Sequence, residues 1–244
     1  TTIAANIVTS KVVIRECDNI TFSGNLIAGG SGVSNKDYAG LHIFSSENIT
    51  ISNNVIYDLH GGSNKIVAGI IIEDSHHIKV DNNTIYAIFA YNGSDPAGIG
   101  AGIYFSDIIH SSIEYNNISR IYGGIGTDGT DYDEFAQPGG SASGIYLYDS
   151  DNNVLNNNTI DNVVGGQGGA HTSSSAGGTG GLGAGIRLYD SELNEISGSI
   201  ASNISGGKGG TSSYAVGGTG GLGSGIFLDS SNNNNFAGNN FYDL

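Results

Sequence analysis

The stretch from Gly144 to Ile160, GIYLYDSDNNVLNNNTI, recurs in altered form from one end of the chain to the other. Counted from the residue aligned with Gly144, units begin at Lys11, Gly40, Gly69, Gly102, Gly144, Gly185 and Gly225. Their spacings are 29, 29, 33, 42, 41 and 40 residues, yet the first seventeen residues of every unit align without a gap. A repeat too small to close a core must stack on its neighbours. The 244 residues therefore read as one elongated domain, 1–244, rather than as two globular ones.

Apolar residues occupy the second position (Val12, Leu41, Ile70, Ile103, Ile145, Ile186, Ile226) and the fourth (Ile14, Ile43, Ile72, Phe105, Leu147, Leu188, Leu228). That period of two marks a strand. The twelfth position, from Phe22 to Phe236, and the seventeenth, from Ile27 to Phe241, are apolar as well, so each unit carries at least two short inward-facing strands. The fifteenth position holds Asn25, Asn54, Asn83, Asn116, Asn158, Ser199 and Asn239. In stacked parallel coils such a row has a purpose, because Asn tolerates a left-handed bend and its amide can bond the identical amide one coil away. The seventh position gives a second small polar row: Cys17, Ser46, Ser75, Ile108, Ser150, Ser191 and Ser231.

These features resemble the parallel β-helix repeat of NosD-like proteins, carbohydrate-active β-helix domains and microbial surface proteins. The resemblance covers nearly the whole chain and implies an all-β, single-stranded right-handed parallel β-helix of about seven and a half coils, with Gly-rich insertions stacked on one flank. Its handedness is implied by the resemblance. Function is not, since lyases, epimerases, adhesins and structural proteins share the repeat.

Eight Lys and Arg against 23 Asp and Glu give a formal net charge of −15, which disfavours nucleic acid and anionic membranes and leaves cations and neutral ligands open. No apolar run is long enough to insert in a membrane as a helix. Cys17 is the sole cysteine and Met is absent, so no intrachain disulfide, Cys cluster or soft sulfur set for copper is available. A start at Thr1 without Met suggests a processed, trimmed or incomplete chain, and processing at this composition points to export and an extracellular or cell-surface location.

All length variation falls at one corner, in residues 28–39, 57–68, 86–101, 119–143, 161–184 and 201–224. Two of these are near copies, GGQGGAHTSSSAGGTGGLG at 165–183 and GGKGGTSSYAVGGTGGLG at 206–223. Paired glycines at this density suit extended polyglycine-like strands packed side by side, or else mobile surface loops. Each run leads into a strand such as Gly185-Ile186-Arg187-Leu188, not into the helix that a phosphate loop needs.

The sixth position stacks Asp74, Asp107, Asp149 and Asp190 on successive coils. Like charges roughly 4.8 Å apart repel by about 1 kcal/mol per pair in water, so the row needs a return. Either divalent cations such as Ca2+ bridge it, or each Asp caps its turn by accepting backbone N–H bonds. Asp128, Asp131, Asp133 and Glu134 form a second acidic group whose oxygen donors suit Ca2+, although the spacing is not that of an EF-hand. Of seven Asn-x-Ser/Thr sequons, Asn92 in an insertion is the most accessible glycosylation acceptor.

Outward positions of the first strand carry Tyr104, Tyr146 and Phe227, with Arg187 in the same row, and Phe44, Tyr148 and Tyr189 in the next. Aromatic faces beside carboxylates suit a sugar-binding surface, with Tyr104, Tyr146, Tyr148, Arg187 and Tyr189 as contact residues; the same rings also serve simple stacking. A lyase or glycosidase would need acids clustered with a basic group over that face, for which Asp107, Asp149, Asp190, Arg187, His42 and His110 are available without forming a known motif. His42, His76, His77 and His110 look scattered over several coils.

The sequence thus leaves two readings. The first is a structural or adhesion solenoid that polymerises head to tail, because the half coil Thr1 to Val8 fits the register of the coil ending at Phe236 to Phe241 and both ends look uncapped. The alternative is a carbohydrate-active enzyme or glycan-binding module using the aromatic and acidic face.

Overall fold

The computed structural model describes residues 1–33, 36–62, 65–92, 97–130, 135–172 and 175–244. Every strand pairs in parallel with the equivalent strand one coil away, which gives three faces wound around one core. The first face runs Val12–Arg15, Tyr38–Phe44, Ile66–His76, Ile99–Ile109, Ala142–Tyr148, Gly183–Tyr189 and Gly223–Asp229. The second joins strands such as Glu47–Ser52, Lys79–Asp81, Ser112–Glu114 and Val154–Asn156. The third is an eight-stranded sheet through Val55–His60, Thr84–Phe89, Asn117–Tyr122 and Thr159–Val164. This is the right-handed parallel β-helix. Among the described residues no helix is long and apolar enough to cross a membrane.

The four apolar positions point inward as their period demands; Leu41, Ile70, Ile103, Ile145 and Ile186 are all fully buried, as are Ile51, Ile113 and Leu155. A fifth inward position lies in what the alignment assigns to the insertions. Leu59, Ile88, Ile121, Val163 and Ile204, at position twenty, are buried because the third-face strand runs four residues past the aligned block.

The coil turns through left-handed residues at four fixed positions: six, nine, fourteen and nineteen. In the unit starting at Gly69 these are Asp74 (φ 46), His77 (φ 54), Asn82 (φ 53) and Ala87 (φ 57), and the other units repeat them. The left-handed region is the one that Asn, Asp and Gly enter most readily. The bend thus falls on the residue before each ladder Asn rather than on the Asn itself. Freed of the bend, the Asn side chains face inward. Asn25 Nδ2 donates to Asn54 Oδ1 (3.1 Å), Asn54 to Asn83 (2.9 Å), Asn83 to Asn116 (3.0 Å) and Asn116 to Asn158 (3.0 Å). Each Oδ1 also accepts the backbone N–H of the preceding Asn, as Asn83 Oδ1 does from Asn54 (3.0 Å). Seventh-position serines do the same, the Ser150 N–H donating to Ser191 Oγ (3.0 Å) while Ser150 Oγ donates to the Tyr148 carbonyl (2.8 Å).

The longer insertions fold out and back as extended strands beside the coil. The Gly221 N–H donates to Gly207, Gly207 to Gly181, Gly181 to Gly166 and Gly166 to Gly140, each at 2.8 Å. A second rung joins Gly218 to Gly210 and Gly210 to Gly178, also at 2.8 Å. Neighbouring backbones lie so close that a Cβ on Gly166 would overlap the Gly124 carbonyl. The glycines form an ordered sheet-like stack because only hydrogen separates the chains.

Candidate functional site

Register places the outward residues of the first face in two rows. One runs His42, Ile71, Tyr104, Tyr146 and Arg187; the other runs Phe44, Glu73, Ser106, Tyr148 and Tyr189. The structure brings Tyr104, Tyr146, Tyr148, Arg187 and Tyr189 into one strip. Tyr104 and Tyr146 nevertheless differ from the outward-and-open placement that their row suggests: they are only 7% and 6% exposed and form a second apolar cluster with Ile71 and the alanines Ala39, Ala68 and Ala101. The small alanines leave room for the two rings to bury themselves, tilted 57° to each other at 5.2 Å. Arg187 caps the cluster, its guanidinium carbon 4.5 Å from the Tyr146 ring centre.

Tyr148 and Tyr189 stack on each other at 5.3 Å with planes 6° apart. Their facing surfaces are therefore occupied, and what they offer a ligand is ring edges and hydroxyls. Burial pushes the Tyr104 phenol well above its ordinary value, and it raises that of Tyr146 against the opposing pull of Arg187. Both phenols stay neutral donors. Arg187 Nε is buried without a hydrogen-bond partner, one of two such side-chain atoms among the described residues, the other being Ser143 Oγ.

Toward the first coils the strip becomes ionisable. Lys11 Nζ lies 2.8 Å from His42 Nδ1, and His42 Nε2 lies 2.6 Å from Glu73 Oε2. An ammonium can only donate, so Nδ1 accepts and Nε2 carries the proton toward the carboxylate. The His42 hydrogen bond holds the Glu73 carboxyl below the usual range, and desolvation lowers the Lys11 pKa. This relay escaped the sequence because its members belong to three different units and three different positions of the repeat.

The Asp row answers to backbone conformation. Asp74, Asp107, Asp149 and Asp190 all sit at left-handed φ between 45° and 57°. Asp107 Oδ2 accepts from Ser106 Oγ (3.0 Å), a side-chain partner and not the backbone N–H expected of a turn cap. Among the described residues the row brings no three donor atoms together. Asp128 Oδ1 accepts the Ala170 N–H (2.7 Å), tying one insertion to the next; Asp131, Asp133 and Glu134 lie outside the described residues. Asn92 is exposed, with its Oδ1 accepting the Ile125 N–H (2.8 Å).

A second aromatic surface, not singled out in the sequence, lines the third face. Tyr57 stacks on Tyr86 (4.9 Å), and His60, Phe89 and Tyr122 stack in succession at 5.0 and 5.2 Å. The signal was present at positions eighteen and twenty-one, beyond the aligned block.

Fold and strip together define a β-solenoid with a decorated first face. The chain belongs to the NosD family: the family model described as periplasmic copper-binding protein (NosD) matches residues 2–180. No curated protein matches it. Among solved structures it is similar to DFA-IIIase from Arthrobacter chlorophenolicus A6 in complex with GF2, at 12% identity over 94% of this chain and 51% of that one, with a TM-score of 0.46. It is also similar to the alginate lyase from Paenibacillus sp. str. FPU-7 (12% identity, 96% and 89% covered, TM-score 0.33). A third is the periplasmic alginate epimerase AlgG (16% identity, 98% and 51% covered, TM-score 0.38). The chain spans about half the length of the DFA-IIIase and of the epimerase.

The family's copper can be tested against the donors present. With no Met and with Cys17 Sγ engaged on the Arg15 carbonyl (3.1 Å), no thiolate and thioether set for Cu(I) exists. Imidazole and carboxylate donors suit Cu(II), and these do converge at Glu47, His76 and His77. The histidines that look scattered along the sequence are therefore partly gathered by the coil.

Proposed function

We propose that this is a carbohydrate-recognising β-solenoid working outside the cytoplasm, with the first-face strip as its saccharide-binding surface. The observation that carries the reading is the continuity of the strip, in which the Lys11–His42–Glu73 relay, buried neutral phenols and an unpaired guanidinium N–H share adjacent rows. Sugar hydroxyls need donors and acceptors alternating over a few ångströms, with apolar edges between them. Tyr148 and Tyr189 supply hydroxyls and edges, Arg187 a charged donor and Glu73 an acceptor. The relay also gives the surface a group able to pass a proton, which lyase, epimerase and hydrolase chemistry all require.

A panel of immobilised neutral and uronate-bearing polysaccharides tests this. The protein is expected to be retained on at least one, with retention roughly tenfold weaker for Tyr148→Ala or Arg187→Ala, a loss of about 1.4 kcal/mol. Any conversion of the bound polymer should vanish in His42→Ala while retention persists. Failure of the intact protein to bind any member, or equal binding by the variants, rejects the reading. Head-to-tail assembly rests on the terminal coils alone, and the packed body of the solenoid adds nothing to it.

A further inference from the structure

Away from the strip, at the corner between the first and second faces, the coil stacks Glu47 on His76 in direct register. His77 follows His76 in a left-handed conformation (φ 54), and one coil on His110 repeats that conformation (φ 53) with its ring stacked over His77 at 6.0 Å and 19°. The two Glu47 oxygens part company. Oε2 lies 3.3 Å from His76 Nε2, and Oε1 lies 3.6 Å from His77 Nδ1. One donor atom from each of the three residues falls within a 4.8 Å group.

Neither separation is that of a closed charge-assisted hydrogen bond. Charge-assisted N–H···O bonds close to about 2.7–2.9 Å, as His42 and Glu73 do elsewhere in this chain at 2.6 Å. Tetrahedral ligands with metal bonds near 2.0–2.1 Å stand about 3.3–3.5 Å from each other. At 3.3 and 3.6 Å, through two different oxygens, the Glu47 contacts are open by the first measure, as is the exposed His60–Asp58 pair at 3.3 Å; what sets the Glu47 corner apart is that donors of three residues converge there. Two imidazoles and a carboxylate are a borderline donor set, unsuited to Ca2+ and suited to Zn(II) or Cu(II). All three side chains are also 39% to 52% exposed, so an ion has an entry path and a fourth position stays open to water. A net charge of −15 raises the local concentration of cations.

We infer that Glu47, His76 and His77 form a binding site for one divalent transition-metal ion, Zn(II) or Cu(II), with an open coordination position. The site is separate from the saccharide strip and stands whether or not that reading does.

Titration calorimetry with ZnSO4 and CuSO4, joined to electron paramagnetic resonance of the copper-loaded protein, tests it. The expected result is one ion per chain, Cu(II) tighter than Zn(II), and a spectrum showing coupling to two nitrogens. His77→Asn is a variant compatible with the fold, because Asn19, Asn48, Asn152 and Asn233 occupy the same left-handed position in other units. It and Glu47→Gln should each weaken binding at least tenfold, while His60→Ala, in a different corner pair with Asp58, should leave it unchanged. No binding by the parent protein, or equal binding and unchanged nitrogen coupling in His77→Asn, overturns the site.

Discussion

Asn83 shows what a single residue contributes to this coil. Its Oδ1 accepts both the N–H and the amide of Asn54, and its Nδ2 reaches Asn116 and the Ile51 carbonyl, all within the buried interior. Truncation strands several of these groups without water. Asn83→Ala is expected to lower unfolding free energy by about 3 kcal/mol, at the scale of the penalty for unsatisfied buried polar groups. The exposed neighbour Asn82, which serves only the bend and one amide contact, provides the contrast: Asn82→Gly keeps the left-handed backbone and should change stability by a few tenths of a kcal/mol at most, about the spread between good turn residues. Urea titrations of the two variants compare a ladder residue with a bend residue one position apart, and similar losses would contradict the division of labour.

At the scale of elements, the glycine flank is held by backbone pairing without side-chain packing. Gly166 is enclosed by Gly124 on one side and donates to Gly140 on the other. Gly166→Ala forces the neighbouring backbone away, so hydrogen exchange at Gly140, Gly166 and Gly181 is expected to accelerate at least tenfold. Core amides of the third face, such as Ile118 and Ile160, should keep their protection, because the coil closes without the flank. Unchanged exchange at the flank would mean that its strands are not held by these bonds. The Gly-Gly-x-Gly-Gly spacing made such strands legible in the sequence. Which chain each N–H meets was not, since those partners lie on three different insertions.

For the whole molecule, Glu73 and Tyr104, two of the four shifted groups of the first-face strip, act on opposite limbs of one stability profile. Glu73 is held below its usual pKa by His42, so its contribution is present above the unfolded value near 4.3 and is lost as pH falls through the depressed folded value. Tyr104 is raised by burial, so its contribution is complete below the unfolded value near 10 and is lost as pH rises from there toward the higher folded one. Thermal unfolding from pH 3 to 11 should show a broad maximum between these limbs. Glu73→Gln is expected to flatten the acid side and Tyr104→Phe the alkaline side; parallel profiles in either variant would detach that limb from its residue.

The sequence by itself determined the coil. A period of two inside a gapless seventeen-residue repeat fixes which side chains face inward, and a row of Asn is stable only where identical positions stack. It also located the tyrosines and Arg187 on one face, because strand alternation leaves no other direction for them. Tertiary structure decided what touches what across coils. Insertions of unequal length do not disturb register, yet they separate partners by 29 to 42 residues, so Lys11, His42 and Glu73, or Glu47, His76 and His77, meet only after winding. Whether a ring is buried like Tyr146, against Tyr104 and beneath Arg187, or stacked in the open like Tyr148 on Tyr189 was settled there too, by which side chains the neighbouring coils bring beside it.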